Sequence, residues 1–152
     1  MEYLKMILTS LLGTLGFSII FRIKGSHIAW ASIGGALTWA VYVLFDFLGA
    51  ALFLSNFLAS LFAVIFAGVM AKFLKTPSTI LVSLCIIPLV PGSSLFYTMS
   101  SLIAWNEAQF LFYAGRTLKT ALGIAGGIVL ESTVGNVLSH LRKRIKINNS
   151  EK

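Results

Sequence analysis

Long apolar runs constrain this chain more than any other feature of its sequence. A membrane helix takes roughly 20 apolar residues, and runs of about that length occupy residues 4–21, 28–47, 51–71, 79–105 and 120–138. Only 11% of the 152 residues are charged and the mean hydropathy is +0.90, whereas about a quarter of the residues in a soluble domain are charged. The sequence therefore predicts an all-α integral membrane protein with about five spans. It excludes a water-soluble globule and a disordered chain.

We expect one transmembrane domain over residues 1–152, ending in a basic tail at 139–152. The first run has the length of a signal peptide. However, Glu2 lowers the net positive charge at the N-terminal end of this run. The small-residue pattern at 29–31 comes only after the charged stretch that begins at Arg22. A cleavage site would be misplaced there, so we expect a retained span.

Positive charges in the loops predict the orientation of the spans. If the first loop, the third loop and the tail face the cytoplasm, that side holds nine of the twelve cations: Arg22, Lys24, Lys72, Lys75, Arg142, Lys143, Arg144, Lys146 and Lys152. This count favours an outside N-terminus and a cytoplasmic C-terminus. It disfavours the alternative in which the fourth run re-enters the membrane without crossing it, because the basic tail would then lie outside the cell. Next to a span, the basic tail predicts binding to anionic lipid rather than to nucleic acid.

Small residues recur every four positions in two of the runs. In the third run they are Ser55, Ala59, Ala63, Ala67 and Ala71. In the fifth run, Gly123, Gly127 and Gly135 share a helix face with Glu131. Because helices in lipid associate through small residues, we expect both stripes to be contact faces, either within one subunit or between subunits of a homo-oligomer.

The fourth run is broken by Pro88, Pro91 and Gly92, so it cannot be one regular helix. Each proline clashes with the carbonyl four residues back, and we expect carbonyls freed in this way to line a wet cavity. Ser93 or Ser94 would cap a second half-helix whose N-terminus favours a carboxylate. The predicted substrate path comprises Pro88, Pro91, Gly92, Ser93, Ser94, Tyr97 and Thr98. The alternative is a purely structural kink.

A local sequence signature extends this interpretation. Lys75, Thr76 and Pro77, followed by the sequence IIPLVPG at 86–92 and then Tyr97, resemble the small membrane subunit of the threonine/serine exporter family. The resemblance implies a two-component exporter of the bacterial inner membrane, in which this subunit works with a larger membrane subunit. The substrate implied is threonine and serine, or a small dicarboxylate such as succinate. The resemblance extends to five individual residues and implies no substrate contacts. These residues are Pro77, Pro88, Pro91, Gly92 and Tyr97.

The remaining ionisable residues offer further candidates. Glu131 is the only acidic residue well inside a run, and burying its charge costs about 3 kcal/mol. This predicts a role in proton coupling, unless Glu131 lies at the membrane interface. Arg116 and Lys119 either neutralise an anionic substrate at the outer mouth or are solvated loop charges. His27 and His140 lie at span ends, where we expect interfacial positions.

The sequence contains no signature of an enzyme, a cofactor site or a metal site. Cys85 is the only cysteine, so neither a disulfide nor a thiolate metal site forms within the chain. We therefore expect a transporter subunit that is not an enzyme and uses no cofactor. The competing interpretations are a non-transporting assembly or scaffold subunit and, less favoured, an intramembrane enzyme.

The orientation can be tested by cysteine labelling in a Cys85→Ser background. We expect a cysteine at Asp46 or Glu107 to react with a membrane-impermeant maleimide in intact cells. A cysteine at Lys72 or in the tail should react only after the membrane is permeabilised. Labelling of the tail from outside intact cells would contradict the five-span arrangement.

Overall fold

The structure, a computed structural model, describes the backbone of residues 2–23 and 25–150 and the side chains of residues 5–23 and 27–135. The described chain is entirely helical, which confirms the all-α prediction. Its six helices are α1 (Glu2–Ile20), α2 (Gly25–Phe47), α3 (Leu52–Leu74), α4 (Ser78–Ile86), α5 (Gly92–Ile103) and α6 (Glu107–Ser150). A short 3₁₀ turn at Ile87–Leu89 follows α4.

Two stretches of the described chain are single helices long and apolar enough to cross a membrane, His27–Phe47 and Leu52–Leu74. A third results if Ser78–Leu89 and Gly92–Ile103, which meet at an angle of 57°, count as one broken span. The apolar part of α1, Lys5–Ile20, is shorter. The expected first to fourth runs thus coincide with helices, and the fifth forms part of the long helix α6. The side chains of the basic tail and of His140 lie outside the described residues.

The start of α6 corrects one expectation. Residues 106–119 were expected to separate two spans, with Arg116 and Lys119 as loop charges, but α6 begins at Glu107 and runs through this stretch. The Asn106 side-chain oxygen accepts a hydrogen bond from the backbone N–H of Gln109 at 3.2 Å. Such an N-cap is a helix start signal that the sequence already contained.

Small polar side chains are buried alongside apolar ones, and many large apolar side chains lie on the surface. Thr14, Ser18 and Thr38 are completely buried, whereas Phe47 and Phe73 are about three-quarters exposed. The buried hydroxyls donate to carbonyls one turn back, for example Ser18 to Thr14 at 2.7 Å and Thr38 to Gly34 at 2.8 Å. Since these groups are satisfied within their own helices, they can be buried without partners on other helices.

Helix α3 lies at the centre and packs against α2, α4 and α6. Its small-residue stripe is buried along its whole length: Ser55, Ala59, Ala63, Ala67 and Ala71. The side chains Leu81, Leu84 and Cys85 of α4 form an apolar cluster with the C-terminal part of this stripe, from Ala63 to Ala71.

Glycines of α6 make the closest contact with α3. A Cβ atom on Gly123 would lie 2.6 Å from the carbonyl oxygen of Phe53, and one on Gly127 would lie 2.6 Å from that of Phe57 and overlap the Ser60 hydroxyl. Gly135 does not join this contact, because a Cβ there would meet only the Glu131 side chain of its own helix, at 3.5 Å, among the described residues. Within the described residues, two of the three glycines of the expected face thus contact α3.

This contact also fixes how the broken segment runs. Gly123 lies beside Phe53 and Gly127 beside Phe57 and Leu61, so α3 and α6 run in the same direction. Helix α3 finishes at Leu74, at the other end of the bundle. The segment containing α4 and α5 therefore returns the chain towards the end where α3 begins.

The glycine contact can be tested by adding one methyl group. We expect Gly127→Ala to destabilise the protein by about 1–3 kcal/mol, because the added Cβ meets the backbone of α3. Gly16→Ala is the matched control, since no atom lies within 4 Å of a Cβ there. Thermal unfolding of the two purified variants in detergent provides the comparison. Equal stabilities would contradict the close approach of α3 and α6.

Candidate functional site

The break between α4 and α5 is a compact turn rather than an open gap. Helix α4 ends at Ile86, Pro88 lies in the 3₁₀ turn, and Pro91 precedes the first residue of α5. Because proline has a fixed φ and no amide proton, two prolines spaced by three residues stop one helix and allow the next to start in a new direction. The two helical parts accordingly meet at 57°.

The backbone of the break satisfies itself locally, which corrects the expectation that Pro91 frees the carbonyl of Ile87. That carbonyl accepts a hydrogen bond from the N–H of Val90 at 3.1 Å. The carbonyl of Val90 accepts from Gly92 at 2.8 Å, and that of Pro91 accepts from Leu95 at 2.9 Å. The chain tightens into short-range turns, so carbonyl oxygens are not the main polar groups left at the break.

The free polar groups at the break are donors instead. Neither Ser93 nor Ser94 caps α5: the helix begins at Gly92, and its N-cap Pro91 provides no side-chain hydrogen bond. Among the described residues, nothing accepts a hydrogen bond from the backbone N–H groups of Ser93 and Ser94. An uncapped helix start carries a partial positive charge and favours an anion.

A cavity of about 130 Å³ lies against these two residues. Three further elements close it: α2, the first turns of α3, and α6. The lining residues are Trp39, Tyr42, Leu52, Asn56, Pro88, Leu89, Val90, Pro91, Ser93, Ser94, Arg116 and Thr120. The α3–α6 contact brings Thr120 and Arg116 here, because they precede Gly123 on the same helix.

Two side chains give the cavity its chemical character. Arg116 is the one charged residue that lines it. The indole N–H of Trp39 is buried and has no hydrogen-bond partner among the described residues, an uncommon state for a buried donor. The Trp39 ring is fixed against Tyr42, with ring centroids 4.9 Å apart. Arg116 and the free first amides of α5 give the cavity hydrogen-bond donors that suit a carboxylate.

The cavity contains only part of the residue set expected for the path. Pro88, Pro91, Ser93 and Ser94 line it, and Gly92 opens α5 beside it. Thr98 is buried against α6, where its hydroxyl lies 3.4 Å from that of Thr117.

Tyr97 also lies outside the cavity. Its side chain is about half exposed and stacks on Tyr113, with ring centroids 5.1 Å apart. The polar face of α5 thus contributes mainly to packing between α5 and α6.

Several lining residues could not be found from the sequence pattern. Trp39, Tyr42 and Asn56 lie within apolar runs and carry no local signal of a site. Arg116 was recognised as a candidate for an anionic substrate, but as a loop residue at the outer mouth rather than as part of a helix that reaches the break. Only the side-by-side packing of α3 and α6 connects these residues.

None of the residues that line the cavity is a His, Cys, Asp or Glu. No group of three or more His, Cys, Asp or Glu side chains that fits a metal ion occurs in the described part of the chain. Of the two histidines, His27 contacts the loop after α3, with its Nδ1 3.1 Å from the Thr76 hydroxyl oxygen. At the break, the Arg116 cation and the free amides of the α5 start adjoin one cavity.

Comparison with known proteins gives one match. A family model described as Threonine/Serine exporter, ThrE, matches residues 6–134, which include the whole break and every residue that lines the cavity. No curated protein and no solved structure matches the chain.

Proposed function

Because the chain belongs to the threonine/serine exporter family, we propose that it is a membrane subunit through which a small carboxylate-bearing metabolite leaves the cell. The substrate is threonine and serine or a dicarboxylate such as succinate. The donor-lined cavity at the break carries this proposal. It combines the Arg116 cation with two free amides at a helix start.

In this proposal Arg116 and the first amides of α5 receive the carboxylate of the substrate. A carboxylate accepts several hydrogen bonds at once, and bonds to a charged donor are about twice as strong as neutral ones. Pro91 keeps the amides free, because it prevents α4 and α5 from joining into one helix. Substrate recognition therefore depends on the break itself rather than on the hydroxyl face of α5.

The subunit works with a larger membrane partner in the bacterial inner membrane. Alternating access in many transporters arises from two structurally related halves that move against each other. This chain supplies a single bundle, so a second body is needed. The partner's spans would cover apolar surface such as Leu111 and Phe112 of α6, which are more than half exposed in the isolated chain.

The proposed orientation keeps the C-terminal end of α3 and the basic tail in the cytoplasm. It rests on the excess of cations in the loops on that side and on the positive-inside rule. The tail then lies at the anionic inner leaflet. The hairpin around Asp46 and the start of α6 at Glu107 face the other side.

Restoring a continuous helix between α4 and α5 tests the role of the break. In the double variant Pro91→Ala and Gly92→Ala, alanine restores a donor and favours continuous helix. A Cβ on Gly92 has no atom within 4 Å, so the variant should insert and fold. We expect it to lose most efflux of labelled threonine, serine or succinate from cells.

Gly115→Ala, which also adds a methyl group in open space, serves as the control. If the double variant is present at normal abundance and its efflux is undiminished, Pro88 and Pro91 form only a structural kink.

Neutralising Arg116 tests the cation. We expect Arg116→Gln to lower efflux by roughly tenfold or more at limiting substrate, since a hydrogen bond to a charged group contributes about 1.5–3 kcal/mol. Lys119→Gln is the matched control, because Lys119 is also an exposed cation of α6 but does not line the cavity. Equal efflux by the two variants would remove Arg116 from the site.

A further inference from the structure

A second, larger space lies at the opposite end of the α3–α6 contact. It is an open groove of about 420 Å³ between the last turns of α3, the loop that leads to α4, and α6. Its lining residues are Ile65, Gly68, Val69, Ala71, Lys72, Thr76, Ser78 and Glu131. None of them lines the cavity at the break.

The helix geometry explains why Glu131 reaches this groove. Glu131 follows Gly123 and Gly127 at intervals of four residues, so all three share one face of α6. The two glycines press against α3, and Glu131 faces the same helix one turn further on. Gly68 provides the space opposite, since a Cβ there would meet no atom within 4 Å.

Opposite charges face this groove without neutralising each other. Lys72 and Glu131 both line it, yet no ion pair joins either of them to another residue in the described part of the chain. Two unpaired charges beside one space offer separate partners to a ligand that carries both signs. An ion pair between the two would leave no such partners.

The cationic side of the groove has a second anion-binding element. Ser78, the first residue of α4, lines the groove, and the N-cap Pro77 makes no side-chain hydrogen bond to this helix. The first amides of α4 therefore add to the charge of Lys72. The loop is held in place because the Thr76 hydroxyl contacts the Leu74 carbonyl and His27 Nδ1, each at 3.1 Å.

We propose that this groove is a binding site for a zwitterion, in particular a small α-amino acid. Lys72 and the start of α4 receive its carboxylate, and Glu131 receives its ammonium group. A dicarboxylate fits the site poorly, because its second carboxylate would face Glu131. This inference rests on the proposed export function and deepens it. In the proposed orientation the groove opens at the cytoplasmic end, where an exported substrate first meets the protein.

The assignment gives Glu131 a role as a ligand group rather than as a proton carrier. It also separates two binding steps within one chain. The zwitterion is recognised by both charges at the groove, and its carboxylate alone is held at the break. The close contact at Gly123 and Gly127 lies between the two sites.

Binding of radiolabelled L-threonine and of succinate to the purified full-length chain in lipid nanodiscs tests the proposal. Wild-type protein should bind threonine saturably and in preference to succinate. Lys72→Gln and Glu131→Gln should each weaken threonine binding about tenfold or more, the effect of losing a charge-assisted hydrogen bond. Glu131→Gln should in addition reduce the preference for threonine over succinate, because the repelling carboxylate is gone.

A variant that fills the groove provides an independent test of the proposal. Gly68→Leu places a side chain in the open space opposite Glu131 and should abolish threonine binding. Gly16→Leu, in open space on α1, should bind as wild type does. The proposal is overturned if wild-type protein shows no saturable threonine binding, or if the Lys72, Glu131 and Gly68 variants all bind threonine normally.

The two proposals can fail separately. Threonine binding that requires Lys72 and Glu131 supports the groove even if cells containing the chain export nothing. Conversely, efflux that depends on Pro91 and Arg116 but is insensitive to Lys72→Gln and Glu131→Gln supports the export function and overturns the groove as its binding site.

Discussion

The close backbone contact between α3 and α6 is the constraint on which the rest of the structure depends. Lipid tails are as apolar as leucine side chains, so helices in a bilayer gain little from hydrophobic burial and associate where small residues permit close packing. Gly123 and Gly127 permit such an approach to the backbone of Phe57 and to Ser60. This contact sets the direction of α6, brings Arg116 to the break and brings Glu131 to the end of α3.

The interior is specified by shape and local hydrogen bonding more than by apolar burial. Gly35 illustrates this between α1 and α2, where a Cβ would overlap the Thr14 hydroxyl. Thr14 remains satisfied because its hydroxyl donates to the Ser10 carbonyl at 2.8 Å. Small polar residues of this kind fill the space between helices at little cost, and the large apolar residues are left on the outside, where lipid solvates them.

The sequence predicted that the apolar runs are helical and where the fourth run breaks, because apolar run length and proline act locally. It did not predict that residues 107–119 continue into the last helix. It also contained the family signature around Pro77, Pro88 and Pro91. It did not predict that the carbonyl of Ile87 would be satisfied by Val90, since this depends on the chain closing into a 3₁₀ turn. Nor did it predict that Lys72 and Glu131 share a groove. Hydropathy identifies membrane segments but says nothing of which segments are neighbours, so contacts between distant parts of the chain require the structure.

Continuity of α6 has a mechanical consequence. Arg116 and Glu131 are fifteen residues apart on the same uninterrupted helix, about 22 Å along its axis, and the glycine contact with α3 lies between them. A Cβ at either glycine would meet the backbone of α3, so the two helices are held together most closely between the two charged residues. A tilt of about 10° about this contact would move the two charges by roughly 2 Å in opposite directions. Any tilt of α6 on α3 would therefore change the surroundings of Arg116 and Glu131 together, although fifteen residues separate them.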